Sequence, residues 1–420
     1  MINAPKGLRL HIGIFGRRNV GKSSVLNALV RQQVAIVSDV PGTTTDPVEK
    51  TMEFKPIGAV VFIDTAGMDD CGTLGKLRVA NTIKVIDRTE LAVLVADSWT
   101  DYEKKLINLF RKKKIPCVIV ANKSDLGGNH TIAKQAETFG CEFIASVSAR
   151  DLAGFDKLRE AIIRATPQEF LEQTTPMAGL VRPDDIVVLV TPIDLEAPKG
   201  RLIVPQVQVL RDLLDHNACG LVVKENTLAL ALANLKNKPK LVVIDSQVFK
   251  KVANLVAPDI LLTSFSIIYA RFKGDLAEMV SGAKTIRALA DGDKILIAEA
   301  CSHHPVEDDI GRVKIPRWLL DYTKRKLEIK VVAGHDYPDD LSTYKLVIHC
   351  GGCVFNRREI LTRIEKARQA GVPITNYGLA IALLHGIFER ALKPFEHELT
   401  PVKPGFHRPN RIVANTLPPQ

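Results

Sequence analysis

Gly16-Arg17-Arg18-Asn19-Val20-Gly21-Lys22-Ser23 decides the fold of the first part of this chain. An apolar run over residues 8–15 enters it, and residues 24–29 leave it with helical character. G-x-x-x-x-G-K-S between a strand and a helix is a phosphate-binding loop. Its glycines let backbone N–H groups close around phosphate oxygens, and the helix N-terminus adds its dipole. Gly16, Arg17, Asn19, Val20, Gly21, Ser23 and Ser24 belong to that cradle. Lys22 can reach the β- and γ-phosphates, and the Ser23 hydroxyl can bind Mg²⁺. Downstream, Pro41-Gly42-Thr43-Thr44-Thr45-Asp46 is a polar loop from which a threonine can close over the γ-phosphate through Mg²⁺. Residues 60–63 read as a strand ending in Asp64-Thr65-Ala66-Gly67. There Asp64 would hold Mg²⁺ through water and the Gly67 N–H would sense the γ-phosphate. Residues 117–120 form a further strand, followed by Asn122-Lys123-Ser124-Asp125. The Asp125 carboxylate can accept two hydrogen bonds from guanine N1 and N2, which adenine cannot supply. Ser148-Ala149-Arg150 is a second base-contact loop. Five motifs in this order define a guanine-nucleotide domain, expected over residues 1–167.

Thr166-Pro167 ends that domain, and Gln173-Thr174-Thr175-Pro176 reads as a linker. Residues 176–266 are expected to form a small α/β domain with no catalytic constellation, suited to dimerisation. Its strands are expected at residues 186–190, 221–224, 241–245 and 260–263, and its His216 and Cys219 as packing residues. Residues 267–420 alternate strands and helices again, which predicts a doubly wound, mostly parallel sheet. Two of its strands end in turns rich in soft ligands: Cys301-Ser302-His303-His304 and His349-Cys350-Gly351-Gly352-Cys353. Three thiols and up to three imidazoles could meet at one rim of that sheet. Such a set suits an iron–sulfur group, or zinc. Ligands of doubly wound sheets collect outside the carboxyl ends of the strands, where Cys301, His335, Cys350 and Cys353 all fall. The fold class is therefore α/β in three domains.

Residues 8–165 resemble the GTPases of the TrmE–Era–EngA type. In that group the threonine matching Thr44 binds Mg²⁺, and an asparagine at the position of Asn19 helps hold a potassium ion that supports hydrolysis. Met68 stands where Ras-like proteins place the water-orienting glutamine, so intrinsic turnover is expected to be slow. The whole chain resembles the HydF family, the GTPases that mature iron-only (FeFe) hydrogenases. Cys301-Ser302-His303-His304, Asp309-Ile310-Gly311-Arg312, Lys314-Ile315-Pro316-Arg317-Trp318 and His349-Cys350-Gly351-Gly352-Cys353 carry that resemblance. It implies a GTPase domain, a dimerisation domain and a cluster domain. It also implies that Cys301, Cys350 and Cys353 hold a 4Fe-4S cluster. The protein would be a scaffold or carrier for a diiron precursor, made with two radical-SAM maturases and delivered to apo FeFe-hydrogenase. Three thiolates leave one iron for an exchangeable ligand: His349, His303, a carboxylate, water or a bridging group of the precursor. His304 and His335 can serve as ligands or as hydrogen-bond partners of ligands.

Composition sets the outer limits. The chain has 420 residues, 46% apolar and 25% charged, as in ordinary globular proteins. No apolar stretch approaches membrane length, and Met1 leads almost directly into a strand, which leaves no room for a signal peptide. Seven unevenly placed cysteines point to a reducing cytoplasm and against a disulfide framework. A net charge of +10 permits a nucleic-acid partner, which keeps open an RNA- or ribosome-associated GTPase of the Era type with a structural zinc site. Against it, aromatic residues are only 5%, and no Gly-x-x-Gly loop with basic flanks follows residue 170.

Overall fold

The computed structural model describes residues 4–31, 37–39, 47–66, 73–127, 129–171, 175–192, 202–300 and 309–400. The chain divides into two compact units, residues 1–173 and 174–420. The first is built on seven strands: β1 (Leu10–Phe15), β2 (Val37–Asp39), β3 (Val48–Phe54), β4 (Gly58–Asp64), β5 (Leu91–Ala96), β6 (Cys117–Ala121) and β7 (Phe143–Ser146). Their order is β2-β3-β4-β1-β5-β6-β7. Strands from β4 through β7 run parallel, while β3 is antiparallel to both β4 and β2. Helices cover both faces, so β1 and β5 are buried at every position and read as continuous apolar runs. Alternate residues feed two cores. Leu10, Ile12 and Ile14 pack on one side with Val25, Leu29, Leu158 and Ile162. Phe15, Ala92 and Leu94 pack on the other with Leu106, Ile107 and Phe110. The parallel α/β expectation for this unit holds. Strand β3 is an addition to it, because only Met52 and Phe54 of its seven residues are buried.

The second unit holds two four-stranded, all-parallel sheets. One is β8 (Ile186–Val190), β9 (Cys219–Val223), β10 (Leu241–Ile244) and β11 (Leu261–Ser264). The other is β12 (Lys294–Ala298), β13 (Glu328–Val332), β14 (Leu346–His349) and β15 (Ile374–Asn376). Their orders are β11-β10-β8-β9 and β13-β12-β14-β15, so each sheet lays its strands second, first, third, fourth. The chain reverses direction across the sheet between the first and third strands. That switch point lies between β12 and β14 in the second sheet, and sheets of this kind bind their ligands outside the carboxyl ends at such a point. A single apolar core runs from Met177 to Phe395 through both sheets. The Phe265–Lys273 helix is buried at Phe265, Ile267, Ile268, Tyr269, Ala270 and Lys273, and the boundary expected at 266/267 falls in its first turn.

One expectation is corrected. Cys219 is exposed, at the start of edge strand β9, and is not a packing residue. An edge strand presents one of its faces to solvent, which an apolar run does not reveal. Its neighbour His216 folds back onto its own helix, with Nδ1 2.8 Å from the Asp212 carbonyl. Among the described residues no helix is long and apolar enough to cross a membrane.

Candidate functional site

The phosphate loop joins β1 to the Lys22–Arg31 helix. Asn19 (φ 62°) and Gly21 (φ 94°) both sit in the left-handed region. Only glycine suits the second position, where a Cβ would collide with Asn122 Nδ2. Asn122, buried at the end of β6, donates from Nδ2 to the Val20 carbonyl (2.8 Å) and accepts at Oδ1 from the Ala149 N–H (3.3 Å). One side chain thus joins the phosphate loop to both base loops. Ser148 Oγ lies 2.9 Å from Asp125 Oδ1 and 3.2 Å from Asp151 Oδ2, which holds the exposed Asp125 carboxylate in place. Lys22 Nζ donates to the Gly16 (3.0 Å) and Arg17 (2.8 Å) carbonyls, folded over the loop it serves. Ser23 Oγ donates to Asp64 Oδ2. The other carboxylate oxygen, Oδ1, is buried without a hydrogen-bond partner among the described residues, and burial pushes the Asp64 carboxyl above its ordinary range. An orphaned carboxylate oxygen beside a serine hydroxyl fits a hard divalent cation such as Mg²⁺.

Two residues of this site escaped the sequence reading. Arg17 Nε donates to the fully buried Glu103 (2.9 Å), and its Nη2 reaches Asp97 (3.1 Å) and Ser98. Asp97 also accepts from Lys123 Nζ (2.6 Å), so it braces the phosphate loop against the base loop. The one available signal was position, since Asp97 follows β5 at its carboxyl end. Thr44, Gly67 and Met68 lie outside the described residues.

At the β12/β14 switch point, Cys350 leaves the end of β14. Its sulfur accepts from the Ala300 N–H (3.0 Å) and the Gly352 N–H (3.4 Å). Burial pushes the thiol up to about 11, while those two N–H groups favour the thiolate. The Cys350-to-Phe355 loop is clamped from below by Lys273, itself buried, whose Nζ donates to the carbonyls of Gly352 (3.2 Å), Cys353 (3.1 Å) and Phe355 (2.6 Å). His349 is buried with both ring nitrogens engaged. Nδ1 sits 2.7 Å from the Cys350 carbonyl, and Nε2 sits 3.0 Å from Arg363 Nη1. Arg363 has only donors, so Nε2 accepts and Nδ1 carries the proton. Burial first, then the Arg363 charge, lowers this imidazole to about 3, which keeps it neutral. Arg363 also donates to the Gly334 carbonyl (2.6 Å), pairs with Glu359 (3.3 Å), and lies over the Phe355 ring at 4.4 Å. His335 Nδ1 meets the same Glu359 at 2.9 Å and stacks on Phe355.

Two thiols four positions from end to end, with N–H donors aimed at one of them, fit a thiophilic metal group. Cys301, His303 and His304 lie outside the described residues. Among the described residues no group of three or more His, Cys, Asp or Glu is assembled around a metal position.

The seven-stranded sheet, its phosphate loop and its base loops define a P-loop GTPase-type unit, and residues 11–123 match the family model of a 50S ribosome-binding GTPase. Residues 177–274 match the hydrogen maturase F dimerization domain, and residues 277–394 match the hydrogen maturase F tetramerization domain. Those two matches together span more than half of the chain, which belongs to the hydrogen maturase F family. Among curated relatives, the GTPase Der of Sulfurimonas denitrificans is 32% identical over 167 residues, 37% of this chain and 34% of that protein. The tRNA modification GTPase MnmE of Desulforamulus reducens is 36% identical over 154 residues, 36% of this chain and 33% of that protein. The chain therefore spans about a third of the length of these relatives. Among solved structures, Aquifex aeolicus Era bound to GDP.AlF4- is 20% identical with a TM-score of 0.31, covering 51% of this chain and 93% of that one. The G domain of the T. maritima FeoB iron transporter is 21% identical with a TM-score of 0.30, covering 38% and 99%.

Proposed function

We propose that this protein is a GTP-hydrolysing scaffold that binds a 4Fe-4S cluster and assembles or delivers the diiron precursor to apo FeFe-hydrogenase. Cys301, Cys350 and Cys353 hold the cluster, and the two radical-SAM maturases supply the precursor. The observation that carries the reading is Cys350: a half-buried thiol at a sheet switch point whose sulfur accepts two backbone N–H bonds. Membership of the hydrogen maturase F family supports the same assignment. The engaged nitrogens of His349 make it a poor candidate for the fourth iron ligand, because ligation would break its bond to Arg363. His303, a carboxylate, water or a bridging group of the precursor then takes that place. The chain works as a homodimer, a reading supported by the match to a dimerization domain, and the match to a tetramerization domain supports a larger assembly.

In the GTPase unit, Ser23, Asp64 and Thr44 hold Mg²⁺, which when bound neutralises charge on the phosphates. Lys22 neutralises charge building on the γ-phosphate, the Gly67 N–H reports its presence, and Asp125 selects guanine. Asn19 holds K⁺. We expect slow turnover, faster in potassium than in sodium and abolished in Lys22→Ala. Equal rates in the two ions would remove the potassium role.

Anaerobic purification tests the cluster reading. We expect a brown protein whose iron falls away in Cys301→Ser, Cys350→Ser or Cys353→Ser, and stays in Cys141→Ser or Cys219→Ser. A colourless protein loaded with zinc would instead favour an RNA-associated GTPase with a structural metal, the reading that the 50S ribosome-binding GTPase match favours.

A further inference from the structure

At the carboxyl ends of β12, β14 and β15 the register sets three residues side by side. Ala298 pairs with His349, and His349 pairs with Asn376. The next residue on each strand, Glu299, Cys350 and Tyr377, therefore leaves the sheet beside its neighbour, on strands about 4.8 Å apart. Tyr377 is only 9% exposed, and its hydroxyl is buried with no hydrogen-bond partner among the described residues. Buried hydroxyls of native proteins nearly always find an acceptor, and this one is left able to donate to an acceptor that arrives with a ligand. Gly311 locates it. A Cβ on Gly311 would collide with the Tyr377 hydroxyl and lie 2.6 Å from Glu299 Oε1, so both groups approach the same bare stretch of backbone. Glu299 Oε2 is occupied by Arg312, at 3.3 Å from Nε and 3.2 Å from Nη2. Burial, then the charge of a Cys350 thiolate, holds the phenol well above its ordinary range, so it stays a donor.

We propose that the Tyr377 hydroxyl donates a hydrogen bond to a sulfur of the iron–sulfur group held by Cys350, and is a positioning residue that sets how readily this group accepts an electron. The inference rests on the reading that Cys350 ligates iron. An added electron places negative charge on the sulfurs of such a group. A donor beside them stabilises the reduced form and raises the potential.

The test uses the full chain reconstituted anaerobically with iron and sulfide, as wild type, Tyr377→Phe, Gly311→Ala and Tyr322→Phe. Iron content, a dithionite titration followed by electron paramagnetic resonance, and exchangeable-proton couplings to the reduced cluster are measured. Tyr377→Phe is expected to keep its iron, shift the midpoint to a more negative potential and lose one exchangeable-proton coupling. Gly311→Ala, which displaces the hydroxyl, is expected to shift the potential the same way. Tyr322→Phe, on an exposed ring, is expected to match wild type. Tyr377→Phe with unchanged iron, potential and couplings overturns the inference. Loss of iron in Tyr377→Phe also overturns it, since the phenol would then be a structural prop. A wild type that takes up no iron overturns the underlying reading of Cys350, and this inference with it.

Discussion

Asn122 shows how a single side chain prepares a binding site before any ligand arrives. Its amide is buried, and its two bonds hold the Val20 carbonyl and the Ala149 N–H in fixed relation. The base-reading carboxylate of Asp125 is then presented outward, steadied by Ser148. Asp125→Asn turns an acceptor into a donor, so we expect preference to pass from guanine to xanthine nucleotides. A lost charge-assisted bond of about 1.5–3 kcal/mol predicts a Kd for GDP at least roughly tenfold weaker. Titration with guanosine and xanthosine diphosphates decides it, and unchanged GDP affinity would sink the base-site assignment. The nucleotide motifs were legible because each is short and local. Asp97 and Glu103 were not, since they meet Arg17 across 80 and 86 residues of chain. His349 is a related case: beside two cysteines it reads as a possible ligand, and only the fold shows its ring nitrogens facing the Cys350 carbonyl and Arg363.

At the scale of elements, legibility followed burial. Leu91–Ala96, Ile186–Val190 and Lys294–Ala298 are interior parallel strands, and their apolar runs predict them end to end. Strand β3 went unread because its solvent-facing residues are charged. Those charges have work to do. Glu49 pairs with Arg88 (2.6 Å) at the end of the Thr73–Arg88 helix and with Lys6 (2.6 Å), which ties β3 to two other elements. Burial alone would raise this carboxyl, but the two cations outweigh it and bring it down to about 2. Between that value and the ordinary one near 4.5, the unfolded chain binds more protons than the folded chain. Stability from this group is therefore complete above about pH 4.5 and is lost as pH falls toward 2. With solvent screening it amounts to on the order of 1–2 kcal/mol. Glu49→Gln is expected to unfold at lower urea than wild type at pH 7, with the difference shrinking by pH 3. A gap of constant size at both pH values would show that the ion pairs are not its source.

At the scale of the whole molecule, the sheet that carries Cys350 does not stand apart. Its core is continuous with that of the β8–β11 sheet, and polar bonds cross between them. Arg390 donates to the carbonyls of Ala253 (2.7 Å), Val256 (2.8 Å) and Ala257 (2.9 Å), and Lys314 reaches Gln247 (3.0 Å). The Phe265–Lys273 helix belongs to both sheets. Ser264 caps its start from β11. Ser266 accepts from Asn376 at the end of β15 (2.7 Å to its carbonyl), and Lys273 clamps the cysteine loop. A fragment beginning at residue 271 would lose Phe265, Ile267, Ile268, Tyr269 and Ala270, most of the apolar face of this helix. It would also leave the core of the second sheet open on that side. Removing several fully buried side chains at about 2–5 kcal/mol each exceeds the net stability of an ordinary domain. A fragment beginning at Thr175 keeps the whole core. We therefore expect residues 175–420 to melt in one cooperative transition and to retain iron after anaerobic reconstitution. The fragment from residue 271 is expected to show no cooperative melt by circular dichroism and little bound iron. If the shorter fragment melts cooperatively and holds as much iron as the longer one, the β12–β15 sheet folds on its own. The shared core would then be an interface between two domains that fold independently.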